Sequence, residues 1–169
     1  MGAFIGDFDE SGRIISIYQW MVRAYSDPVN FINRSPLMPY IHIQISGEAD
    51  DSLAADVASS ASDLTARLLG KDPSLTAVVI DFIPATRWFV GGHRLDGRPE
   101  RSYHWMVSIT DETNTKKEKA AYLDAVHARM GELLGPVAEH SYVHVADLRA
   151  SAYGYGGQTQ EHRYQHPGT

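Results

Sequence analysis

The feature that most limits what this chain can fold into is an internal repeat: displaced by 65 residues, the sequence falls on itself. Leu68-Leu69-Gly70 lands on Leu133-Leu134-Gly135, Val78 on Val143, Trp88 on Tyr153, and Gly91-Gly92 on Gly156-Gly157. A unit of that length is one supersecondary motif with an apolar face it cannot bury alone, so the two copies must pack together. In the first copy Tyr40 to Ile45 alternates, with Ile41, Ile43 and Ile45 on one face and Tyr40, His42 and Gln44 on the other. That period of two predicts a strand with one face on a core. Asp50 or Asp51 then caps a helix whose inward stripe is Leu53, Val57, Ala61, Leu64 and Leu68, and Gly70 stops it. The run TAVVIDFI (76–83), closed by Pro84, reads as a short buried strand, and RWFVGG turns the chain. The second copy predicts a strand over about 103–110, a helix over about 116–134, a strand over about 141–148 and a glycine hairpin. Thr115 and Glu118 form a capping box for its helix, which carries Tyr122, Leu123, Val126, Met130, Leu133 and Leu134 inward.

Two βαβ units in tandem imply an α+β fold. Right-handed crossovers put both helices on one face of a four-stranded mixed sheet. The opposite face would carry Tyr40, His42, Gln44, His104, Tyr142 and His144, too polar for a private core and too aromatic for plain solvent, so an oligomer interface is expected there. Residues 1–37 stand outside the repeat as an N-terminal extension. Ile14, Ile15, Tyr18, Val22 and Tyr25 in it have helical spacing. The repeat domain spans 38–157, and the polar tail 158–169 is expected to be loose or an arm onto a neighbour.

With 169 residues, 43% of them apolar, one domain with a proper core is expected rather than two. A net charge of -6 spread along the chain speaks against nucleic-acid and acidic-membrane partners. The absence of cysteine excludes disulfides and cysteine-ligated metals and fits a reducing cytoplasm. The acidic opening MGAFIGDFDE is unlike a signal peptide, and no apolar run reaches the ~18 residues of a membrane span. The expectation is a soluble cytoplasmic protein. His162 and His166 have i, i+4 spacing, but in a loose tail they are not expected to hold a metal.

At the head of the first strand stands Met38-Pro39. A duplicated βαβ unit opening on Met-Pro and ending in Gly-Gly hairpins resembles the tautomerase superfamily, whose members use an amino-terminal proline as catalyst; the resemblance covers about residues 38–157. It implies the longer, fused kind of member, assembled as a homotrimer, without metal or cofactor, acting on a small carboxylate substrate. Within that kind the chain is similar to macrophage migration inhibitory factor and its phenylpyruvate tautomerase relatives. Gly70-Lys71-Asp72-Pro73 stands where those proteins place a pocket lysine, and Ser108-Ile109 matches their pocket-floor strand. Tyr142 and His144 stand where they have a tyrosine and an asparagine that reach a neighbouring subunit's pocket, and Trp88 would wall the pocket. His104 falls where a second proline would be, as expected if only the first unit is catalytic. The arginines of the short tautomerases and related dehalogenases are missing: Glu48, Ala77, Asp111 and Asn114 occupy approximately those places, which argues against dehalogenation.

The chemistry so implied is physically coherent. A free α-amine has a pKa of about 7.7 to 8, lowered further by burial and nearby cations, so a terminal proline is a neutral base near working pH. Lys71 would hold the carboxylate or the developing enolate, and Tyr142 and His144 would donate to the oxygen. The scheme requires Pro39 to be terminal, because an amide nitrogen has no basic lone pair. Translation from Met38 would meet that requirement; Arg34-Ser35 can be encoded AGG AGN, a purine run like a ribosome-binding site a few nucleotides upstream. Plainer readings stand beside these. Pro39 is also a good strand starter, Lys71 a cation at a helix C-terminus, Tyr142 and His144 interface residues, and Trp88 core. The alternatives to an isomerase are a non-catalytic module with Pro39 blocked, and a related hydratase or decarboxylase.

Overall fold

The structure, a computed structural model, describes residues 38–166; the helix expected within 14–25 lies outside them. Strand β1 (Tyr40–Ser46) leads into helix α1 (Asp51–Leu69) and strand β2 (Ala77–Ile83). A hairpin of β3 (Phe89–Val90) and β4 (His93–Arg94) follows. The second unit repeats the plan with β5 (Tyr103–Thr110), α2 (Lys116–Leu134), β6 (Tyr142–Leu148) and the hairpin β7 (Gly154–Tyr155) and β8 (Gln158–Thr159), and ends in α3 (Gln160–Gln165). The main sheet has the order β2-β1-β5-β6. β1 runs parallel to β2, β5 parallel to β6, and the two units meet antiparallel along β1 and β5.

Local chemistry accounts for the elements. Asp50 is the N-cap of α1, its side chain accepting from the Leu53 amide at 2.9 Å, and Gly70 closes the helix in the left-handed conformation at φ 62°. The Thr115–Glu118 capping box opens α2 with both reciprocal bonds made. Ile41, Ile43, Ile45, Trp105, Val107 and Ile109 from the central strands pack against Val57, Ala61, Leu64, Val126 and Met130 from the helices in a single core on one face of the sheet. Inside it Tyr122 Oη is within 2.9 Å of Thr65 Oγ1 and accepts from Trp105 Nε1 at 3.1 Å, so each buried polar atom of the trio has a partner.

Three expectations are corrected, and one unpaired group gains a partner. Leu123 does not face the core; it is 37% exposed, because Tyr122 and Val126 already fill that side of α2. The run TAVVIDFI is not a buried strand but an edge strand, with Val79 and Asp81 exposed while Val78, Ile80 and Phe82 pack on the core. Asp81, which has no evident partner in the sequence, meets His42 Nε2 of the neighbouring strand at 2.8 Å. Finally, 158–165 are not loose: they form β8 and α3, with Gln160 only 4% exposed.

The repeat itself is slightly out of step. From the helices onward the two units are offset by 65 residues (51 to 116, 77 to 142). The pairings of Tyr40 with Ala77 and of His104 with Tyr142 make the first strands differ by 64. One more residue lies in the second β–α connection, 111–115 against 47–50. Glu112 in that connection is the one non-glycine among the described residues with positive φ, at 61°. The position equivalent to Pro39 is therefore Tyr103, not His104. His104 corresponds to Tyr40, and both face away from the helices.

Candidate active site

Pro39 is buried immediately ahead of β1, and its carbonyl accepts from the Ala77 amide at 3.3 Å. The antiparallel register that pairs Tyr40 with Ser108 and Ile41 with Val107 carries Pro39 to the level of Ile109. α1 returns the chain to this same end of the sheet. The left-handed turn at Gly70 then drops Lys71 inward, where it is 4% exposed and its Nζ donates to Thr113 Oγ1 at 2.8 Å. Lys71 is thus an interior lysine, and the plainer reading of a solvated cation at a helix end does not describe it.

The second unit completes the surroundings. Thr113 Oγ1 donates to the Thr110 carbonyl at 2.6 Å, and Thr110 Oγ1 lies 3.0 Å from Tyr153 Oη. Tyr153 Oη in turn donates to the carbonyl oxygen of Met38 at 3.2 Å. A hydrogen-bonded chain therefore runs from the peptide that precedes Pro39, through Tyr153, Thr110 and Thr113, to Lys71. Burial holds the Tyr153 phenol above its ordinary pKa, a push opposed by Thr110 and by Gln160 beside it. The side-chain Nε2 of Gln160 is buried and meets no acceptor within hydrogen-bond distance and angle. Asn114 Nδ2 donates to the Leu69 carbonyl at 3.1 Å, fixing the end of α1 against the β5–α2 connection.

Four of the seven site residues proposed from sequence (Pro39, Lys71, Ser108 and Ile109) gather at this end, with Ser108 and Ile109 nearly buried. The other three do not. Trp88 is half-buried beyond the opposite end of β2, and Tyr142 and His144 project from β6 on the open face, both exposed. Tyr142 is level with His104, four residues from Ser108, which is roughly 13 Å along a strand. Within one protomer these residues cannot reach Pro39. Tyr142 and His144 line the open face instead, where Gln44 Oε1, His104 and His144 form a polar ladder with spacings of 3.4 and 3.3 Å. Thr110, Thr113, Tyr153 and Gln160 went unnoticed as site residues. The one signal for any of them was that Tyr153 is the repeat partner of Trp88.

Residues 39–98 match the family model described as tautomerase enzyme. No curated protein matches the chain by sequence. Among solved structures, native fused 4-OT is similar with a TM-score of 0.61 and 21% identity, over 72% of this chain and 96% of that one. Pt0534 inactivated by 2-oxo-3-pentynoate gives 0.63 and 16% over 72% and 96%. A macrophage migration inhibitory factor-like protein from Entamoeba histolytica gives 0.59 and 15% over 72% and 97%. With a mixed four-stranded sheet and two helices on one face, the chain shares the fold of these solved structures, and its residues 39–98 match the tautomerase family.

Proposed function

We propose that this protein is a tautomerase-like isomerase that catalyses keto–enol or double-bond isomerisation of a small 2-oxo or 2-hydroxy acid, with the nitrogen of an amino-terminal Pro39 as base. The observation that carries the reading is the burial of Pro39 at the same sheet end as the interior Lys71. A secondary amine there is disfavoured in its charged form by burial and by the neighbouring ammonium, so at neutral pH it is a ready base. Lys71 supplies a positive charge where little water competes, suited to a substrate carboxylate or a developing enolate. The inactivating compound in one neighbour's structure, 2-oxo-3-pentynoate, is itself a 2-oxo acid, which supports the substrate class. Two fused 4-OT neighbours are trimers, one asymmetric and one symmetric. A homotrimer of this chain would cover the open face and bring Tyr142 and His144 toward a neighbour's site. The reaction needs no metal or cofactor, and the protein is expected in the cytoplasm.

The test has two parts. The intact mass of the natively expressed protein tells whether Pro39 is terminal. A chain beginning at Pro39 is then assayed for phenylenolpyruvate ketonisation beside its Pro39→Ala form, whose kcat/KM is expected to fall roughly 10- to 100-fold. Equal rates exclude proline as the base. One observation favours a second reading: Tyr153 holds the Met38 carbonyl, so the peptide ahead of Pro39 is itself well accommodated. If the mature protein keeps that peptide bond, the fold serves as a binding module and no turnover is expected.

A further inference from the structure

The oxygen that Tyr153 binds belongs to the peptide unit that a free proline would lack. C=O and C–N bonds of about 1.23 and 1.33 Å put that oxygen a little over 2 Å from the Pro39 nitrogen, so the phenol oxygen lies within roughly 5.5 Å of it. That is the span a 2-oxo acid needs, with its C3 hydrogen at the base and its C2 oxygen two bonds further on. We infer that Tyr153 is a catalytic residue of the proposed isomerase: its O–H donates to the substrate's C2 oxygen at the position the Met38 carbonyl oxygen otherwise occupies. The inference rests on the proposed function and names the oxyanion donor of that site from within the same protomer.

The surroundings fit the role. Thr110 Oγ1, 3.0 Å away, orients the phenol, and the hairpin carrying it is anchored by the Tyr153 carbonyl, which accepts from the backbone N–H of Gln160 at 3.0 Å. Gln160 Nε2 is a second buried donor beside the phenol, with no partner of its own. Because burial raises the phenol's pKa, it stays protonated across the pH range in which a proline amine changes charge, so it remains a donor throughout. The electron count closes without a co-reactant. Pro39 nitrogen takes a proton from C3, the C–H pair forms the C2=C3 bond, and the carbonyl π pair moves onto O2. The new oxyanion accepts from Tyr153 O–H, and the proton on the proline is returned to O2 or to a remote carbon.

The experiment uses a chain beginning at Pro39 and its Tyr153→Phe form. The parent is expected to ketonise phenylenolpyruvate, and Tyr153→Phe to lower kcat/KM about 100-fold, the usual loss for an oxyanion donor, with an unchanged circular dichroism spectrum. In parallel, calorimetric titration with oxalate, a planar anionic enolate mimic, is expected to show roughly tenfold weaker binding to Tyr153→Phe and little change for Pro39→Ala. Rates within twofold of the parent overturn the assignment. If the parent itself shows no turnover, the proposed function fails and oxalate decides this inference separately: equal affinity of the parent and Tyr153→Phe overturns it.

Discussion

At the scale of single residues, the same phenolic chemistry serves two ends. Tyr153 sits at the site, and Tyr122 sits in the middle of the core with its oxygen shared between Thr65 and Trp105. Burial pushes the Tyr122 pKa up to about 12, so it is a neutral hydroxyl at any working pH. Tyr122→Phe leaves Trp105 Nε1 and Thr65 Oγ1 in the core without their common partner, and an unsatisfied buried group costs about 1–3 kcal/mol. The expected outcome is a clear loss of thermal stability with kcat/KM unchanged within twofold, read by calorimetry and by the ketonisation assay. An unchanged Tm would mean that the trio is not the polar keystone of the core. Lys71 and Pro39 were singled out in the sequence only through the family resemblance, because a glycine cap and a strand start by themselves point as readily to a solvated lysine and a strand-opening proline. Tyr153 was not, because what makes it a site residue is a contact with Met38, 115 positions away.

At the scale of elements, capping and turn chemistry were readable almost residue by residue. Asp50, Gly70 and the Thr115–Glu118 pair sit at the helix ends they predict, and both Gly-Gly hairpins turn on two glycines with φ near 60° and 79°. What the pattern missed was what tertiary packing alone decides: which apolar run lies at a sheet edge, and where the extra residue of a repeat is absorbed. TAVVIDFI is apolar enough for a central strand, yet nothing in its composition says that no further strand pairs beyond it. The repeat offset changes by one at Glu112, a residue no periodicity singles out. The second hairpin, which carries Tyr153, also differs from the first in a way that can be measured. Gly154 occupies the place of Phe89, and a methyl group there would run into the backbone of Gln158 and Thr159. Gly131, in α2, has open space around the same hypothetical methyl. Gly154→Ala is therefore expected to cost about 1–3 kcal/mol and to lower activity by displacing Tyr153, whereas Gly131→Ala is expected to add about 0.5–1 kcal/mol. Melting curves and rates of the two variants check both signs, and equal effects would contradict the close packing of the hairpin.

For the whole molecule, the open face of the sheet links assembly to pH. Its central ladder is Gln44, His104 and His144, flanked by His42 with the Asp81 carboxylate, and Tyr40 and Tyr142 lie exposed at its margins. The pKa of His104 is lowered by burial first and then by the positive charges that His144 and His42 would carry. In the unfolded chain His104 titrates near 6.5, so between that value and its lower folded value the unfolded chain binds more protons than the folded one. Stability from this group is therefore full above about pH 6.5 and is lost as pH falls toward the folded pKa. Covering the face in the proposed trimer adds to the effect, because burial between subunits deepens the desolvation. The expected result is a homotrimer at pH 8 that becomes less stable and sheds subunits as the pH is taken to about 5.5, followed by sedimentation and by melting temperature. His104→Gln, which keeps a hydrogen-bonding side chain between Gln44 and His144 but cannot be protonated, is expected to flatten that dependence. A variant whose melting temperature falls with pH as steeply as the parent's would show that His104 does not set it, and the cause would then lie with groups away from the sheet face.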